Sequence, residues 1–167
     1  MLRVATAATV TPIAIPAPAR TLADRNTPPM MCLGVAPTAI EEIVRWASPV
    51  IHFRRTATRD TELGGQKVRA GEKVVLWYNS GNRDEAAFAD PYRFDITREP
   101  NEHVGFGGPG PHHCLGANLA RREMRVMFRE ILTRLPDLEI TGPPEMLRSN
   151  FIHGIKRMPC AFTPGGA

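Results

Sequence analysis

The stretch GFGGPGPHHCLGANLARRE, residues 105–123, decides the fold of this chain, because it sets a glycine-rich loop and one cysteine directly before a long helical pattern. The helical pattern runs from Leu115 to Leu135 and ends at Pro136, which cannot continue a helix. Its apolar face is formed by Ala120, Met124, Met127, Phe128, Ile131 and Leu135. Glycines let a backbone pass close to a large flat body without a side-chain clash. The loop is therefore typical of a segment that lies against a bulky cofactor.

Four chemical roles are open to Cys114, which lies just before the predicted helix. A nucleophilic thiolate would be favoured by the helix N-terminus, and a zinc ion could recruit His103, His112 and His113. The thiolate could instead be the single protein ligand of a metal cofactor, or the residue could be a buried free cysteine. Adjacent histidines do not converge easily on one tetrahedral ion, and nothing in the sequence selects a catalytic base. The surrounding glycines favour the role of cofactor ligand.

The composition of the chain is that of a globular protein and argues against several other classes. The chain has 167 residues, of which 43% are hydrophobic and 23% charged, as is ordinary for a globular domain with its own core. Its net charge of +4 comes without a dense Lys/Arg run, so nucleic-acid binding is not indicated. Three cysteines are too few for a disulfide framework, and no apolar run approaches the roughly 20 residues of a membrane span. We therefore expect a cytoplasmic protein without a membrane span.

The chain is predicted to contain one ordered domain. Residues 1–37 hold six of the 16 prolines and a single acid, Asp24, and they have no sustained helical or strand period. We expect this lead to be irregular and disordered, with a poor targeting signal as the alternative. Residues 38–162 form the predicted domain, and residues 163–167 a flexible tail.

The domain opens with a short amphipathic helix, TAIEEIVRWASP. Thr38 as N-cap and Glu41 three residues later predict a capping box, and Pro49 stops the helix. Glu42 and Arg45 also lie three residues apart, a spacing that by itself indicates a surface ion pair.

Short strand-like runs follow this helix, namely VIHFRRTAT, TELGGQKV and EKVVLWYNS. Tight hairpin turns are predicted at Gly64-Gly65 and again at Ala70-Gly71. Residues 81–104 are rich in turn formers and charge, and predict a long ordered meander of the kind that is usually functional. After the long helix, LEIT, NFIHGI and PCAF are predicted strands. The pattern as a whole indicates an α+β fold that is mainly helical.

Three motifs resemble those of the cytochrome P450 family. FGGPGPHHCLGANLAR is similar to the family's haem-ligand loop, with glycines four residues before and two residues after Cys114. The segment from Glu42 to Arg45 matches its ExxR helix, and DPYRFD, residues 90–95, matches its Pro-x-Arg-Phe segment. The motifs follow one another in the family's order.

The resemblance covers residues 38 to about 162. It implies the C-terminal part of the cytochrome P450 fold, with the ExxR helix, a small β-sheet, the meander, the cysteine-ligand loop, a long helix and a C-terminal β-hairpin. Phe106 lies one residue further upstream than in the commonest form of the loop. That variant is similar to a subgroup of actinobacterial members that act on sterols and methyl-branched lipids.

The resemblance implies haem b as the cofactor and Cys114 as the axial thiolate ligand of its iron. His112 and Arg55 are implied to bind the haem propionates by charge-assisted hydrogen bonds. The remaining residues implied at the cofactor are Phe106, Gly107, Gly116 and Ala120.

Three further groups of residues receive roles from the resemblance. A buried network that fixes the meander is implied for Glu42, Arg45 and Arg93, which overturns the surface pair inferred from spacing alone. An acidic ferredoxin would dock on Arg121, Arg122 and Arg125, with a solvated basic face as the alternative. His52 and Phe53 are expected to edge the substrate pocket.

The implied activity is that of a haem-thiolate monooxygenase, which inserts one oxygen atom from O2 into a C–H bond. Its substrate would be apolar, a sterol or a branched lipid, and its electrons would come from ferredoxin and ferredoxin reductase. The alternative is a catalytically inactive, truncated remnant or a weak haem-binding module, since the sequence lacks the family's distal oxygen-activating helix and carries no assigned catalytic residue. On this view residues 1–37 are unrelated to the family or frame-shifted, and apolar surface that the distal helix would cover is exposed.

Overall fold

A computed structural model describes residues 37–164 of the chain. The helices are α1 (Pro37–Ala47), α2 (Tyr78–Gly81) and α3 (Ala117–Arg134). The strands are β1 (His52–Thr56), β2 (Thr61–Leu63), β3 (Gln66–Val68), β4 (Lys73–Trp77), β5 (Glu139–Ile140), β6 (Glu145–Met146), β7 (Ile155–Arg157) and β8 (Cys160–Ala161). Nearly all of the predicted lead and the end of the predicted tail lie outside the described residues, and the domain boundary at Pro37 stays a prediction.

Helix α1 carries three of the six buried apolar residues in the described part of the chain, namely Ala39, Ile40 and Val44. It begins at Pro37, whose fixed φ suits the first helical position. Thr38 therefore belongs to the first turn, and the capping box predicted from it is wrong, because the Glu41 carboxylate binds other partners described below. The helix ends as predicted just before Pro49.

The strands after α1 pair in a nested order. β2 and β3 form a hairpin around Gly64 and Gly65, whose φ values of 57° and 81° confirm the predicted turn. The second predicted turn, at Ala70-Gly71, is present, with a Gly71 φ of 86° and a bond from the Glu72 N–H to the Arg69 carbonyl at 3.1 Å. It does not close a hairpin, because β4 pairs with β1 and not with β3. In the observed register His52 faces Trp77 and Thr56 faces Lys73, so the β2–β3 hairpin is an insertion between two paired strands.

The chain leaves β4 through a helical turn. The sequence predicts a strand up to Ser80, but Tyr78–Gly81 form α2, whose C-cap is Asn82. From there to α3 the described backbone has no further helix or strand, and it is held by turn hydrogen bonds such as Phe88 N–H to Asp84 O at 2.9 Å. The predicted long meander is confirmed.

Helix α3 confirms the strongest helical pattern of the sequence to within two residues at each end. Its packing differs from the expected apolar face. Ala117 is its one residue classed as buried, whereas Met127 is 58% exposed and Leu119 61% exposed in the described part of the chain. The expectation that a distal helix would cover exposed apolar surface stays a prediction.

The C-terminal segment folds into two nested strand pairs, β5 with β8 outside and β6 with β7 inside. β6 was missed, since two residues after Gly-Pro-Pro carry no strand period. The segment returns to α1, because the His153 N–H donates to Pro49 O at 2.8 Å and the Ile51 N–H to Phe151 O at 2.9 Å. The antiparallel pairing of β6 with β7 confirms the C-terminal hairpin, and the order of elements is the one that the resemblance implies.

Candidate functional site

Cys114 lies between the glycine-rich loop and α3, and its thiol is exposed and free. Its N–H donates to the Phe106 carbonyl at 2.9 Å, and its own carbonyl accepts from the Ala117 N–H at 3.2 Å. Gly116 is the N-cap of α3, and a Cβ on it would come 3.8 Å from the Cys114 Sγ. The main chain is therefore anchored on both sides of an accessible sulfur atom.

The glycine-rich loop uses two left-handed backbone positions. Gly107 has a φ of 89° and Gly110 a φ of 127°, values that L side chains rarely adopt. A Cβ on Gly107 would also lie 3.7 Å from the His112 carbonyl and from the Tyr78 hydroxyl. The turn brings Cys114 back beneath Phe106, and it depends on these glycines.

Arg55 and His112 line the same cavity, of about 250 Å³, between the end of the β1–β4 sheet and the glycine-rich loop. Trp77 and Tyr78 lie along its sheet side. The Arg55 guanidinium is 5.6 Å from the centre of the Phe53 ring. A permanently charged guanidinium and an imidazole that face one cavity are suited to bind carboxylates.

Glu42 and Arg45 form a fully buried ion pair at the centre of the fold. Two parallel bonds join them, from Arg45 Nε and Nη2 to the two carboxylate oxygens, both at 2.7 Å. Arg45 Nη1 donates to the carbonyls of Asn82 and Pro91 at 2.8 and 2.9 Å, and Nη2 also donates to the Arg93 carbonyl at 3.1 Å. The pair is therefore fully hydrogen-bonded, the condition under which a buried ion pair is tolerable.

The second guanidinium at Glu42 belongs to Arg98 and not to Arg93. Arg98 Nε lies 3.3 Å from Glu42 Oε2, while its terminal nitrogens donate to the carbonyls of Ala89, Asp90 and Arg93. Arg93 contributes its carbonyl to the network, and its side chain is exposed. The sequence motif thus located the right segment, but the side chain that reaches the carboxylate comes from five residues further on.

Electrostatics at Glu42 follow from these contacts. Burial by itself would raise the pKa of Glu42, but hydrogen bonds from Arg45 and from the Asp95 N–H hold the pKa below its ordinary value of 4.5. The Asp95 N–H donates at 2.8 Å and the Asn101 amide at 3.0 Å. The carboxylate is charged at neutral pH.

Asn82 is a buried residue that sequence analysis missed. Its side chain accepts the Val104 N–H at 2.7 Å and donates to the Ser48 hydroxyl at 2.8 Å, which in turn donates to the Arg45 carbonyl. It therefore connects the C-terminal end of α1 to both ends of the meander, next to the start of the glycine-rich loop. One asparagine in a turn-rich segment carries no periodic signal that could have indicated this role.

The three arginines assigned to partner docking lie in different surroundings. Arg122 and Arg125 are exposed on α3. Arg121 instead forms two parallel bonds to the Glu41 carboxylate, at 2.7 and 2.8 Å. That pair raises the pKa of Arg121 and lowers the pKa of Glu41. The docking role of the three residues stays a prediction.

His52 and Phe53 belong to an aromatic cluster at the start of β1. The His52 ring lies 5.0 Å from the Trp77 ring, and the Phe53 ring lies 5.7 Å from that of Tyr78. The Phe151 ring packs edge-on against the rings of both His52 and Phe53. The cluster ties the C-terminal segment to the sheet beside the cavity of Arg55, and its place at a substrate pocket stays a prediction.

A zinc site at Cys114 is not supported by the structure. Between residues 37 and 164, no three His, Cys, Asp or Glu side chains lie close enough together to hold a metal ion. His103, one of the possible zinc ligands, instead contacts Glu41 at 3.0 Å.

None of the helices between residues 37 and 164 is long and apolar enough to cross a membrane.

A sequence profile of the family described as cytochrome P450 matches residues 25–152. The chain therefore belongs to the cytochrome P450 family, whose members carry haem. It is 61% identical over 130 residues to a methyl-branched lipid omega-hydroxylase of Mycobacterium tuberculosis, an alignment that covers 78% of this chain and 30% of that protein. It is 50% identical over 129 residues to a steroid C26-monooxygenase of Mycolicibacterium smegmatis, covering 77% and 30%.

Among solved structures, the chain is similar to a cytochrome P450 of Mycobacterium marinum in complex with pseudoionone. The TM-score is 0.74 at 56% identity, and the match covers 79% of this chain and 31% of the other. The chain thus spans about 30% of the length of the relatives that it matches. The relatives of Mycobacterium tuberculosis and Mycolicibacterium smegmatis are named as a lipid hydroxylase and a steroid monooxygenase, and the M. marinum protein as a cytochrome P450, which agrees with the family inferred from the three motifs.

Proposed function

We propose that this chain holds haem b through Cys114 and serves the haem-thiolate monooxygenation of an apolar substrate. The observation that carries the proposal is the exposed, free Cys114 thiol at the junction of the glycine-rich loop and α3. The family's cofactor needs one thiolate ligand in that position.

The residues around Cys114 fit a haem group. Arg55 and His112 face one cavity and offer two cationic or hydrogen-bonding partners for the two propionates. Gly116 leaves space beside the sulfur atom, since a Cβ there would lie 3.8 Å from Cys114 Sγ, and Gly107 leaves space beside the Tyr78 hydroxyl. Phe106 and Ala120 complete the residues that would border the cofactor.

When bound, thiolate-ligated haem supplies the activation of O2 that allows one oxygen atom to enter a C–H bond. This chain would bind the propionates with Arg55 and His112 and keep the sulfur atom in place through the backbone bonds of Cys114. His52 and Phe53 would border an apolar substrate, for which we propose a sterol or a methyl-branched lipid, because the named relatives act on such molecules.

Electrons would come from a ferredoxin and its reductase in the cytoplasm. An acidic ferredoxin is the partner that fits the basic row of α3, where Arg122 and Arg125 are exposed beside Arg121. Complementary charge of this kind raises the association rate and makes it depend on ionic strength.

The test is the spectrum of the reduced, carbon monoxide-treated chain after expression of residues 1–167 with haem supplied. We expect the Soret shift of a thiolate-ligated ferrous carbonyl, lost in Cys114→Ala and kept in the matched variant Cys160→Ala, since Cys160 is also exposed and free. Absence of haem uptake, or an unchanged spectrum in Cys114→Ala, would contradict the proposal.

The alternative function, haem binding without catalysis, is separated from monooxygenation by turnover. Both predict the carbonyl spectrum, but only the monooxygenase forms a hydroxylated product from a sterol or a methyl-branched fatty acid when ferredoxin, reductase and O2 are present. Product should depend on Cys114 and not on Cys160.

A further inference from the structure

The carboxylate of Glu41 brings together three segments that are distant in sequence. It accepts two bonds from Arg121 on α3 and lies 3.0 Å from His103 Nε2 at the end of the meander. Glu41 itself is on α1, so one carboxylate connects this helix, the loop that leads to Cys114 and the helix that follows it. These three residues are called the Glu41 cluster below.

The tautomer of His103 follows from its two ring contacts. The Gly105 N–H donates to His103 Nδ1 at 3.1 Å, so Nδ1 carries no proton and Nε2 donates to Glu41. The side chain is only 3% exposed, and burial lowers the pKa of His103 despite the neighbouring carboxylate. A neutral imidazole thus connects Glu41 to the backbone one residue before Phe106.

Phe106 is contacted by the other two members of the cluster. The Arg121 guanidinium lies 4.6 Å from the centre of the Phe106 ring, a cation–π contact, and the His103 ring lies 5.9 Å away. The Phe106 carbonyl accepts the Cys114 N–H. Phe106 therefore contacts the cluster through its ring and Cys114 through its backbone carbonyl.

We propose that Glu41, His103 and Arg121 are positioning residues that fix Phe106, and through its carbonyl fix Cys114, relative to α1 and α3. On this proposal Arg121 acts within the cluster and not as part of a docking surface. The inference rests on the proposed function only where haem is concerned, because the position of the cysteine loop can be measured without the cofactor.

The first measurement is hydrogen exchange in the full 167-residue chain without haem. In Glu41→Gln we expect the amides of residues 105–116 to exchange about tenfold faster, since the cluster that holds this loop is broken. Peptides from β1 and β4 should be unchanged. The matched control is Glu130→Gln, which removes a carboxylate from the exposed Glu130–Arg134 pair on α3 and should leave the loop protected.

The second measurement is the ferrous carbonyl spectrum of the haem-loaded variants. If Cys114 is less firmly positioned, a larger share of Glu41→Gln should show the shorter-wavelength Soret band of a complex without a thiolate ligand, and the midpoint potential should shift. A residue with only a structural role would lower the unfolding temperature without changing either property of the folded molecules.

Arg121→Lys is a second variant for the case that Glu41→Gln does not fold. It keeps the positive charge but cannot form both parallel bonds, so loop exchange and the carbonyl spectrum should change in the same direction. Wild-type loop protection together with a wild-type spectrum in either folded variant overturns the inference, as does faster exchange spread equally over β1 and β4. A wild-type chain that takes up no haem contradicts the proposed function, while the exchange measurement still decides this inference.

Discussion

Gly105 lies so close to α1 that a side chain at this position would overlap Val44. A Cβ at this position would come 2.5 Å from Val44 Cγ1 and 3.3 Å from the Val44 carbonyl. Gly108, three residues on, has nothing within 4 Å of the same point. One loop therefore contains a glycine that packing requires and a glycine that it does not.

This contrast gives a prediction at the scale of one methyl group. Gly105→Ala should lower the free energy of unfolding by about 1–3 kcal/mol, because the added methyl overpacks the contact with α1. The matched variant Gly108→Ala should be close to neutral. Urea titrations followed by circular dichroism measure both, and equal midpoints for the two variants would contradict the packing argument.

Two neighbouring acidic residues on α1, Glu41 and Glu42, show what local sequence patterns can and cannot predict about side-chain contacts. Glu42 was assigned to a buried network from its motif, and the structure places it there with Arg45. Glu41 was assigned to a capping box, and its carboxylate instead meets Arg121, which lies 80 residues away in sequence. Local spacing could not indicate that contact, because the partner is determined by the path of the whole chain.

At the scale of elements, α1 and α3 bury very different shares of their apolar residues. Ile40 on α1 is fully buried, whereas Met127 on α3 is 58% exposed. Both lie on the apolar faces that the helical period predicts. The period identifies which side of a helix is apolar, but the depth of burial depends on what packs against it.

The two helices should therefore respond differently to truncation. Ile40→Ala should lower the free energy of unfolding by about 2–5 kcal/mol, since it leaves a cavity at the buried face of α1. Met127→Ala should change stability by less than about 0.5 kcal/mol, because its side chain is largely in water already. The midpoints of urea unfolding compare the two, and similar losses would show that α3 is more deeply packed than its exposure indicates.

At the scale of the molecule, the Glu42–Arg45 pair connects α1 to the meander. Arg45 donates to three meander carbonyls, and Glu42 accepts from Asp95 and Asn101. These bonds depend on a charged carboxylate. A single protonation would therefore weaken contacts that hold distant segments together.

The pH dependence follows from the lowered pKa of Glu42. A carboxyl whose pKa is lower in the folded state stabilises the fold above its ordinary value of 4.5, and this contribution is lost as the pH falls through the folded pKa. We expect stability to be steady near neutral pH and to fall below about pH 4.5. Urea midpoints measured between pH 7 and pH 3 test this.

Glu42→Gln identifies the residue responsible for that effect. At pH 7 this variant should lower the free energy of unfolding by about 3–5 kcal/mol, because Arg45 stays buried without its charged partner. The loss of stability in acid should also be smaller than in the wild type. Glu130→Gln, an exposed carboxylate in a surface pair, should retain both the stability and the acid response of the wild type.

The sequence by itself determined the family, the cysteine loop and the limits of its long helix. Those features are local: the period of α3, the glycines around Cys114 and the spacing of Glu42 and Arg45 are all readable within about 20 residues. Backbone conformation and helical period depend mainly on near neighbours, so such stretches predict their own structure.

Only the tertiary structure decided which distant groups meet. It paired β4 with β1, brought Arg55 to the cavity of His112, and gave Glu42 the guanidinium of Arg98 where the motif indicated Arg93. The physical reason is that a buried carboxylate is paired with whichever cationic groups the path of the chain brings close to it. That path is fixed by packing over the whole domain and not by the spacing of any one motif.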